Sequence, residues 1–271
     1  SAPEAATAQA RGTNRGWLVT SLVLLLAVAG VTTLWLRTEP DRPVIQASIG
    51  LPTGSVLRSL GATGGAMRFS PDGQSLAFVV QSSGKQQIWV RSLAEREGHP
   101  VQGTEGGHRP FWSPDGKSLG FFATGSMRRV AVSGGAPLTI APASDARGGC
   151  WLADGTIIFT PTPDSDLFSV PAAGGEPRPV TDRGKYSHRE PRVVGADGDF
   201  LFLENRSGGV WMVCLGNVDG RAQRELTPTT GGAEYASGQL LYLRGTTLVA
   251  QPCDIGSGQL SGEAVPLAER V

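Results

Sequence analysis

The sequence lacks an excess of charge of either sign. Its 271 residues include 24 lysines and arginines and 24 aspartates and glutamates, so the formal net charge is zero. Proteins that bind nucleic acid usually carry a basic excess on one face. We therefore predict that nucleic acid is not a partner of this chain.

Cysteine is scarce, with only Cys150, Cys214 and Cys253. Their number is odd and they form no C-x-x-C pair, so the sequence predicts neither a disulfide framework nor a zinc site. We interpret the three residues as small, buried, apolar side chains. One pair could still be oxidised if the domain lies outside the cytoplasm.

Histidine is equally scarce, and the three residues His99, His108 and His188 are isolated from one another. They form no H-E-x-x-H motif or other pair at helical spacing, so they do not indicate a metal site. We expect all three at surface or turn positions. The sequence His188-Arg189-Glu190 differs from the kinase H-R-D motif at its last residue, and no D-F-G accompanies it.

Matches to motifs of nucleotide-binding and hydrolytic enzymes are incomplete or lie in the wrong context. The segment Asp115-Gly116-Lys117-Ser118 ends like a phosphate-binding loop, but Phe111 stands where the motif requires its first glycine. The segment 116–120 has the G-x-S-x-G spacing of a nucleophile motif, but it leads from a turn into a predicted strand and not from a strand into a helix, so a nucleophile elbow is not supported. The sequence therefore identifies no catalytic, cofactor-binding or metal-binding residue, and whether the protein is an enzyme stays open. We expect the chain, which runs from Ser1 to Val271, to be part of a longer protein.

One long apolar run is present, from Trp17 to Leu36, and its twenty residues carry no charge. A helix of that length spans roughly 30 Å, the thickness of the hydrocarbon core of a bilayer. Trp17 and Trp35 lie at its ends, where aromatic side chains favour the interface. The run predicts a single transmembrane helix at residues 17–36, with membrane lipid as its partner.

A cleaved signal peptide is the alternative interpretation of this run. Ala27-Val28-Ala29 has the small-x-small form of a cleavage site, but the apolar run continues past it to Leu36. The orientation of a helix is not decided by the flanking charges. Arg11 and Arg15 precede the run and Arg37 and Arg42 follow it, so the positive-inside rule gives a tie.

A turn motif repeats through the rest of the chain. Ser70-Pro71-Asp72-Gly73 recurs as Ser113-Pro114-Asp115-Gly116, and weaker copies end at Gly155, Gly198 and Gly238. The spacings between equivalent positions are 43, 39, 43 and 40 residues. A period of about 40–45 residues with several short strands per unit is typical of a β-propeller. The 38 glycines and 19 prolines are consistent with many tight turns.

Each repeat predicts one four-stranded blade. The first strands are expected at 67–69, 110–112, 150–152, 191–194 and 234–236. The second strands are expected at 75–80, 118–123, 156–160, 200–203 and 239–243. The third strands are expected at 87–93, 127–132, 167–170, 210–215 and 246–251. The fourth strands are expected at 100–104, 137–140, 177–180, 224–227 and 265–267.

The turn motif itself has a structural explanation. An Asp-Gly pair suits a tight hairpin, and the proline before it ends the preceding strand. Aspartates at the turns could suggest a ring of metal ligands, but equivalent turns on separate blades lie far apart. We therefore interpret the motif as the hairpin between the first and second strand of each blade, and we predict no metal there. The aspartates in question are Asp72, Asp115, Asp154 and Asp197.

The predicted fold class is therefore all-β, a propeller of four-stranded blades preceded by a single transmembrane helix. Five repeats are visible and six blades are the alternative. The predicted domains are a flexible juxtamembrane tail at 1–16, the helix at 17–36, a linker at 37–66 and the propeller at 67–271. The linker contains one or two short strands, one of which could close the ring.

The repeats resemble a known family. The segments F-S-P-D-G-Q-S-L-A-F and W-S-P-D-G-K-S-L-G-F are similar to TolB-type β-propeller repeats. A further predicted strand follows each of them, and a Gly-Gly-x-Pro turn follows that strand in the second and third repeats. The resemblance covers residues 67–271, although repeats three to five lack the Ser-Pro pair. It implies a propeller whose face binds a protein or peptide.

The order of tail, helix, short linker and propeller resembles the C-terminal half of bacterial membrane-anchored serine/threonine protein kinases. This resemblance implies a cytoplasmic tail, an extracytoplasmic propeller that is not itself catalytic, and kinase activity in a preceding domain. Three other parents remain open: a membrane-bound winged-helix transcription regulator, a TolB-like scaffold, and a prolyl-oligopeptidase-type peptidase gated by its propeller.

Overall fold

The computed structural model describes residues 21, 24, 25, 50, 51, 54–58, 67–182, 184–220 and 223–271. The predicted tail at 1–16 lies outside them, and so does the predicted transmembrane segment Trp17–Leu36 apart from Ser21, Leu24 and Leu25, which are helical. Within the described part of the chain, no helix combines the length and the apolar character needed to span a bilayer.

The described strands form five antiparallel sheets, one per sequence repeat. The first blade contains β1 (Ser55–Leu57), β2 (Met67–Phe69), β3 (Ser75–Ser82), β4 (Lys85–Ser92) and β5 (His99–Pro100). The second contains β6 (His108–Trp112), β7 (Ser118–Ala123), β8 (Ser126–Ala131) and β9 (Leu138–Pro142). The third contains β10 (Gly149–Trp151), β11 (Thr156–Phe159), β12 (Phe168–Pro171) and β13 (Arg178–Pro179).

The fourth blade contains β14 (Ser187–Val194), β15 (Asp199–Asn205), β16 (Trp211–Asn217) and β17 (Arg224–Thr229), with a 3-10 turn at Ser207–Gly209. The fifth contains β18 (Ala233–Ala236), β19 (Gln239–Arg244), β20 (Thr247–Asp254), β21 (Gln259–Leu260) and β22 (Val265–Glu269). The prediction of four-stranded blades is confirmed, and the described residues form five of them.

Strand order within each blade follows the chain, so each blade is a meander of hairpins. Two additions extend this plan. In the first blade, β1 and β2 pair with opposite ends of β3, because β1 lies opposite 80–82 and β2 opposite 76–78. In the fifth, β21 and β22 both pair with β20. The described part of the predicted linker thus contributes a strand to the first blade.

The Ser-Pro-Asp-Gly turns are held by their own side chains. The Ser70 hydroxyl donates to the Asp72 carboxylate at 2.5 Å and accepts from the Ser75 amide at 2.9 Å, while the Gln74 amide donates to Asp72 at 3.0 Å. Gly73 adopts φ +69°, a value that glycine reaches without strain. The sequence of the turn therefore specifies its geometry.

The second copy reproduces the first almost atom for atom. Ser113 donates to Asp115 at 2.6 Å, and the amides of Lys117 and Ser118 donate to Asp115 and Ser113 at 3.0 and 2.9 Å. In the fifth blade the turn contracts to Ser237 and Gly238, both with positive φ, which is the two-residue turn that suits a right-twisted hairpin. All five turns join the first strand of a blade to the second.

Among the described residues, four of the five apolar clusters of the core lie between neighbouring blades, and the remaining one belongs to the first blade. In one cluster, Ala77 and Val79 of β3 pack with Leu119 and Phe121 of β7. In another, Leu201 and Leu203 of β15 pack with residues of β18, β19 and β20. Burial of apolar surface contributes about 25 cal/mol per Å². Stacking of blades, rather than pairing within a blade, therefore supplies most of the apolar stabilisation.

The three cysteines are buried free thiols, which confirms their interpretation as small apolar side chains. Burial raises the pKa of all three thiols, that of Cys214 to about 12. The surface prediction holds for His99, which is exposed, but it is wrong for His188. His188 lies within β14 with its ring against Phe202, where the apolar surroundings lower its pKa.

Candidate functional site: the central channel

The first strands of all five blades line one cavity of about 510 Å³. The lining includes one equivalent residue from the first strand of each blade. In every blade, this residue pairs with the third residue of the second strand. We call these five residues the deep ring: Arg68, Phe111, Cys150, Arg192 and Glu234. Because these positions are equivalent in the five blades, the repeat itself brings them together around the channel.

A second ring lies one residue closer to the turns. We call it the mouth ring, and its members also line the cavity: Phe69, Trp112, Trp151, Val193 and Tyr235. Phe69 is 64% exposed and Val193 is 40% exposed, whereas Trp112 is buried. The Trp112 indole donates to the Arg68 carbonyl at 2.9 Å and so links the first two blades. Pro71 and Pro114 of the turns complete the rim.

Below the deep ring, three blades share an unusual backbone. Arg109, Gly148 and Glu190 adopt φ of +50°, +117° and +55°, and the two non-glycine residues each cost about 1–3 kcal/mol of strain. Arg109 and Glu190 lie in bulges of β6 and β14, where two residues face one on the partner strand. Bulges redirect side chains, and here they accompany the contact of Arg109 with Glu190.

The Glu190 carboxylate, only 3% exposed, is the centre of an ionic cluster that joins four blades. Arg192 donates to it at 2.8 Å, Arg68 approaches at 3.4 Å, and Arg109 is bonded to its other oxygen. Arg192 also donates from Nε to Glu234 at 2.9 Å. Residues of blades one, two, four and five therefore meet in one network.

The third blade contributes space rather than charge. A Cβ atom at Gly148 would lie 3.0 Å from the Cα atom of Glu190 and 3.2 Å from its Oε2 atom. Together with its positive φ, this close approach requires glycine at the position. Gly148 therefore leaves room for the Glu190 carboxylate to reach its three arginines.

Burial and charge oppose each other in the cluster. Burial raises the pKa of the Glu190 carboxyl, and the guanidinium groups of Arg109 and Arg68 work against that shift. Burial also lowers the pKa of Arg109, which Glu190 opposes. Among the described residues, the three arginines Arg68, Arg109 and Arg192 are paired here with two glutamates, Glu190 and Glu234.

The turn aspartates noted in the sequence do not form a shared site. Asp72, Asp115 and Asp154 each bind the amide two residues ahead in their own turn. Nowhere in the described ranges do three or more His, Cys, Asp or Glu side chains cluster closely enough to hold a metal ion. Of the residues that do converge, Glu190 was noted in the sequence only as part of a rejected kinase-like motif, and Arg68 and Glu234 were not singled out. A charged residue within a predicted first strand was the only sequence signal for Arg68 and Glu234.

Structural comparison places the chain among β-propellers. TolB from Acinetobacter baumannii matches with a TM-score of 0.59 at 16% identity over 74% of this chain, and a TolB from Agrobacterium tumefaciens described as putative matches with 0.54 at 18% over 63%. A prolyl endopeptidase matches with 0.50 at 16% over 79%. The described residues therefore form a TolB-like β-propeller with five blades.

The match covers 55% of the Acinetobacter TolB chain, 72% of the Agrobacterium chain and 36% of the prolyl endopeptidase chain. No protein-family profile and no curated protein sequence matches the chain. At these identities the similarity defines the fold, and function has to be argued from the channel.

Proposed function

We propose that this chain is a membrane-anchored, extracytoplasmic propeller that binds a protein or peptide at the mouth ring. We further propose that it forms the sensing half of a bacterial serine/threonine protein kinase whose catalytic domain lies on the cytoplasmic side. The observation that carries binding is the cavity of about 510 Å³ to which all five blades contribute.

The cavity has the composition of a ligand site. Binding pockets are commonly about 300–1,000 Å³, mostly apolar, with a few polar groups that orient the ligand. Here Phe69 and Tyr235 offer accessible aromatic surface at the mouth, and Arg68, Arg192 and Glu234 supply charge beneath them. Aromatic side chains bring large contact area at low entropic cost, which favours a peptide or a protein loop as the ligand.

The apolar run of the sequence supports the membrane anchor, and the resemblance in domain order supports the orientation. The uncharged run Trp17–Leu36 has the length of a transmembrane helix. The order of tail, helix, linker and propeller resembles membrane-anchored kinases, in which the propeller lies outside. A propeller that binds a ligand outside and is joined through one helix to a cytoplasmic kinase would be suited to signalling.

Membrane placement is tested by cysteine labelling, because the three native thiols are buried and should not react. Glu97→Cys places a thiol on an exposed loop of the first blade, and Thr7→Cys places one in the tail. In spheroplasts, a membrane-impermeant maleimide should label the first variant, and label the second only after lysis. The reverse pattern, or labelling of both variants before lysis, would overturn the proposed orientation.

Binding is tested by panning a random heptapeptide display library on the full chain in lipid nanodiscs, with empty nanodiscs as background. Retained peptides should be lost with Phe69→Ala, which removes a 64% exposed ring from the mouth. Leu138→Ala is the matched control, because Leu138 is 56% exposed on the fourth strand of the second blade. Equal effects of both substitutions would argue against the mouth ring as the site.

A gating propeller of a peptidase is a second candidate, favoured by the similarity to a prolyl endopeptidase whose chain is matched over 36% of its length. In that case the channel would admit substrates rather than hold a ligand. An α/β-hydrolase domain with a G-x-S-x-G motif in the same reading frame would identify this alternative. A kinase domain with a glycine-rich loop and an H-R-D motif would support the first proposal.

A further inference from the structure

We infer that the ligand of the channel presents a carboxylate to Arg68 and Arg192, and that Glu234 stands in for that carboxylate when no ligand is bound. This inference rests on the proposed binding function and names the chemical group that the site recognises. It is argued from the two arginines that line the cavity, the unequal exposure of the two glutamates and the composition of the cavity wall.

Arg68 and Arg192 reach the same cavity from different blades. Arg68 lies in β2 and Arg192 in β14, and both contact the Oε2 atom of Glu190. A guanidinium group has five N–H donors, and Arg68 uses one terminal nitrogen for Glu190 and the other for the Met67 carbonyl, which leaves donors unused. These donors suit an anionic group, whereas a cationic ligand would be repelled.

The two glutamates of the cluster have different surroundings. Glu190 is 3% exposed and contacts three arginines that belong to three blades, so its role is to hold the channel together. The Glu234 side chain is 56% exposed and is bonded to Arg192 at 2.9 Å, although the surrounding protein still raises the pKa of its carboxyl. Because Arg192 is bonded to Glu190 as well, it keeps a carboxylate partner when Glu234 moves away. A ligand carboxylate can therefore take the place of Glu234 on Arg192 without dismantling the cluster around Glu190.

Guanidinium groups suit a carboxylate because their planar array of N–H donors matches its two oxygens. Arg68 and Arg192 both line the cavity, with side chains 19% and 11% exposed. Above them the wall is formed by aromatic and proline side chains, which accept apolar groups. The chemical class indicated is a peptide carrying a carboxylate beside apolar residues, from either an acidic side chain or a free C-terminus.

The test uses heptapeptides retained from the random library on the full chain in nanodiscs. Each is synthesised in three forms: as selected, with Asp and Glu replaced by Asn and Gln, and with the C-terminus amidated. Loss of the responsible carboxylate should weaken binding about ten-fold or more. The form that loses affinity shows whether the carboxylate belongs to a side chain or to the C-terminus.

Three variants then assign the carboxylate to the site. Glu234→Gln removes the internal competitor while keeping its shape, and should tighten binding of the acidic form several-fold. Glu225→Gln is the matched control, because Glu225 is 59% exposed and paired with Arg206 on the fourth blade, and it should change nothing. Arg68→Lys keeps the charge but loses the planar array of donors, and should weaken binding of the acidic form.

The two proposals fail in different ways. If peptides are retained at the mouth but their neutral forms bind as well as their acidic forms, the carboxylate inference is overturned and peptide binding stands. An unchanged or weakened affinity in folded Glu234→Gln would also overturn it. If the wild-type chain retains no peptide above the empty nanodiscs, the proposed binding function itself fails.

Discussion

The second strand of the fifth blade is less buried than the second strands of the other four blades, although all five have similarly apolar sequences. Ile157, Ile158 and Phe159 of β11 are fully buried, so both faces of that strand are covered. In β19, Leu240 and Tyr242 are buried, but Leu241 and Leu243, which alternate with them, are only half-buried. One face of the fifth blade is thus less completely covered than the corresponding faces of the other blades.

This difference shows where the stability of the fold originates. The faces between consecutive blades are buried by the neighbouring blade, whereas the outer face of the fifth blade lacks such a cluster among the described residues. The L-L-Y-L sequence of β19 is as apolar as the I-I-F sequence of β11, yet its two faces are not equally packed. Position in the array, rather than sequence, decides how much each strand contributes.

The largest expected effect comes from core truncation. Phe121→Ala in β7 removes a fully buried ring between the first two blades, and should lower the free energy of unfolding by about 3–5 kcal/mol. Leu241→Ala on the half-buried face of β19 should cost only about 1–2 kcal/mol, because less apolar area is lost. Urea unfolding of the two variants measures both values. Equal losses would contradict the difference between the blades.

A second experiment tests the ionic contacts across the channel, in contrast to the apolar contacts between blade faces. Glu190→Gln removes the buried negative charge that three arginines contact and should destabilise the chain by about 3 kcal/mol. Glu225→Gln, at an exposed pair within the same blade, should cost less than about 1 kcal/mol. Chemical denaturation provides the comparison. A small effect at Glu190 would mean that the blades are held by their apolar faces alone.

Close packing can be tested by adding a single methyl group. A Cβ atom at Gly120 in β7 would lie 2.2 Å from the Phe111 ring, so Gly120→Ala should cost about 1–3 kcal/mol. Gly238→Ala lies in the open turn before β19, where nothing is within 4 Å, and its cost of about 1 kcal/mol arises only from the positive φ. Thermal unfolding of both variants separates overpacking from backbone strain.

The smallest expected effect concerns the turns and their dependence on pH. Hydrogen bonds lower the pKa values of Asp72 and Asp115 below the usual 3.8. The largest effect comes from the Ser70 and Ser113 hydroxyls, and the next largest from the backbone amides of Gln74 and Lys117. The folded state therefore favours the ionised form, so this stabilisation is present above about pH 4 and is lost as the pH falls through the lowered pKa values. Asp72→Asn combined with Asp115→Asn should flatten the acid side of the stability profile slightly.

Melting temperatures of the wild type and the double variant between about pH 2.5 and 6 measure this contribution. The gap between the two proteins should close towards the acid end, where the wild-type carboxyls become protonated. A gap that stays constant across the range would show that the turns contribute through shape rather than ionisation.

The strands could be predicted from the sequence because the turns mark them. Asp-Gly pairs fix the first hairpin of four blades and a Ser-Gly pair that of the fifth, and the apolar run that follows fixes the second strand, so most predicted and observed bounds differ by few residues. The largest differences, of four residues, are at β14, which begins at Ser187 and not at Pro191, and at β5, which ends at Pro100 and not at position 104. Pro191 follows the bulge residue Glu190, and β14 pairs with β15 on both sides of this bulge.

The ionic cluster could not be predicted in the same way. Arg109 and Glu190 reach each other through positive-φ bulges, and a non-glycine residue carries no sequence signal for that conformation. The glycine signal is present at Gly148, but its meaning depends on Glu190 in the next blade. Local pattern determines strands and turns, whereas the channel depends on which residues the closure of the array brings together.

Each blade is one uninterrupted stretch of the chain, and both late strands of the fifth blade return to their own β20. Pairing partners are therefore close in sequence, and the first blade needs nothing from the fifth to form its hydrogen bonds. A chain that emerges gradually, from a ribosome or through a translocation pore, can complete its hairpins in order of synthesis. The unit in which such a protein can lengthen or shorten during evolution is a whole blade of about forty residues.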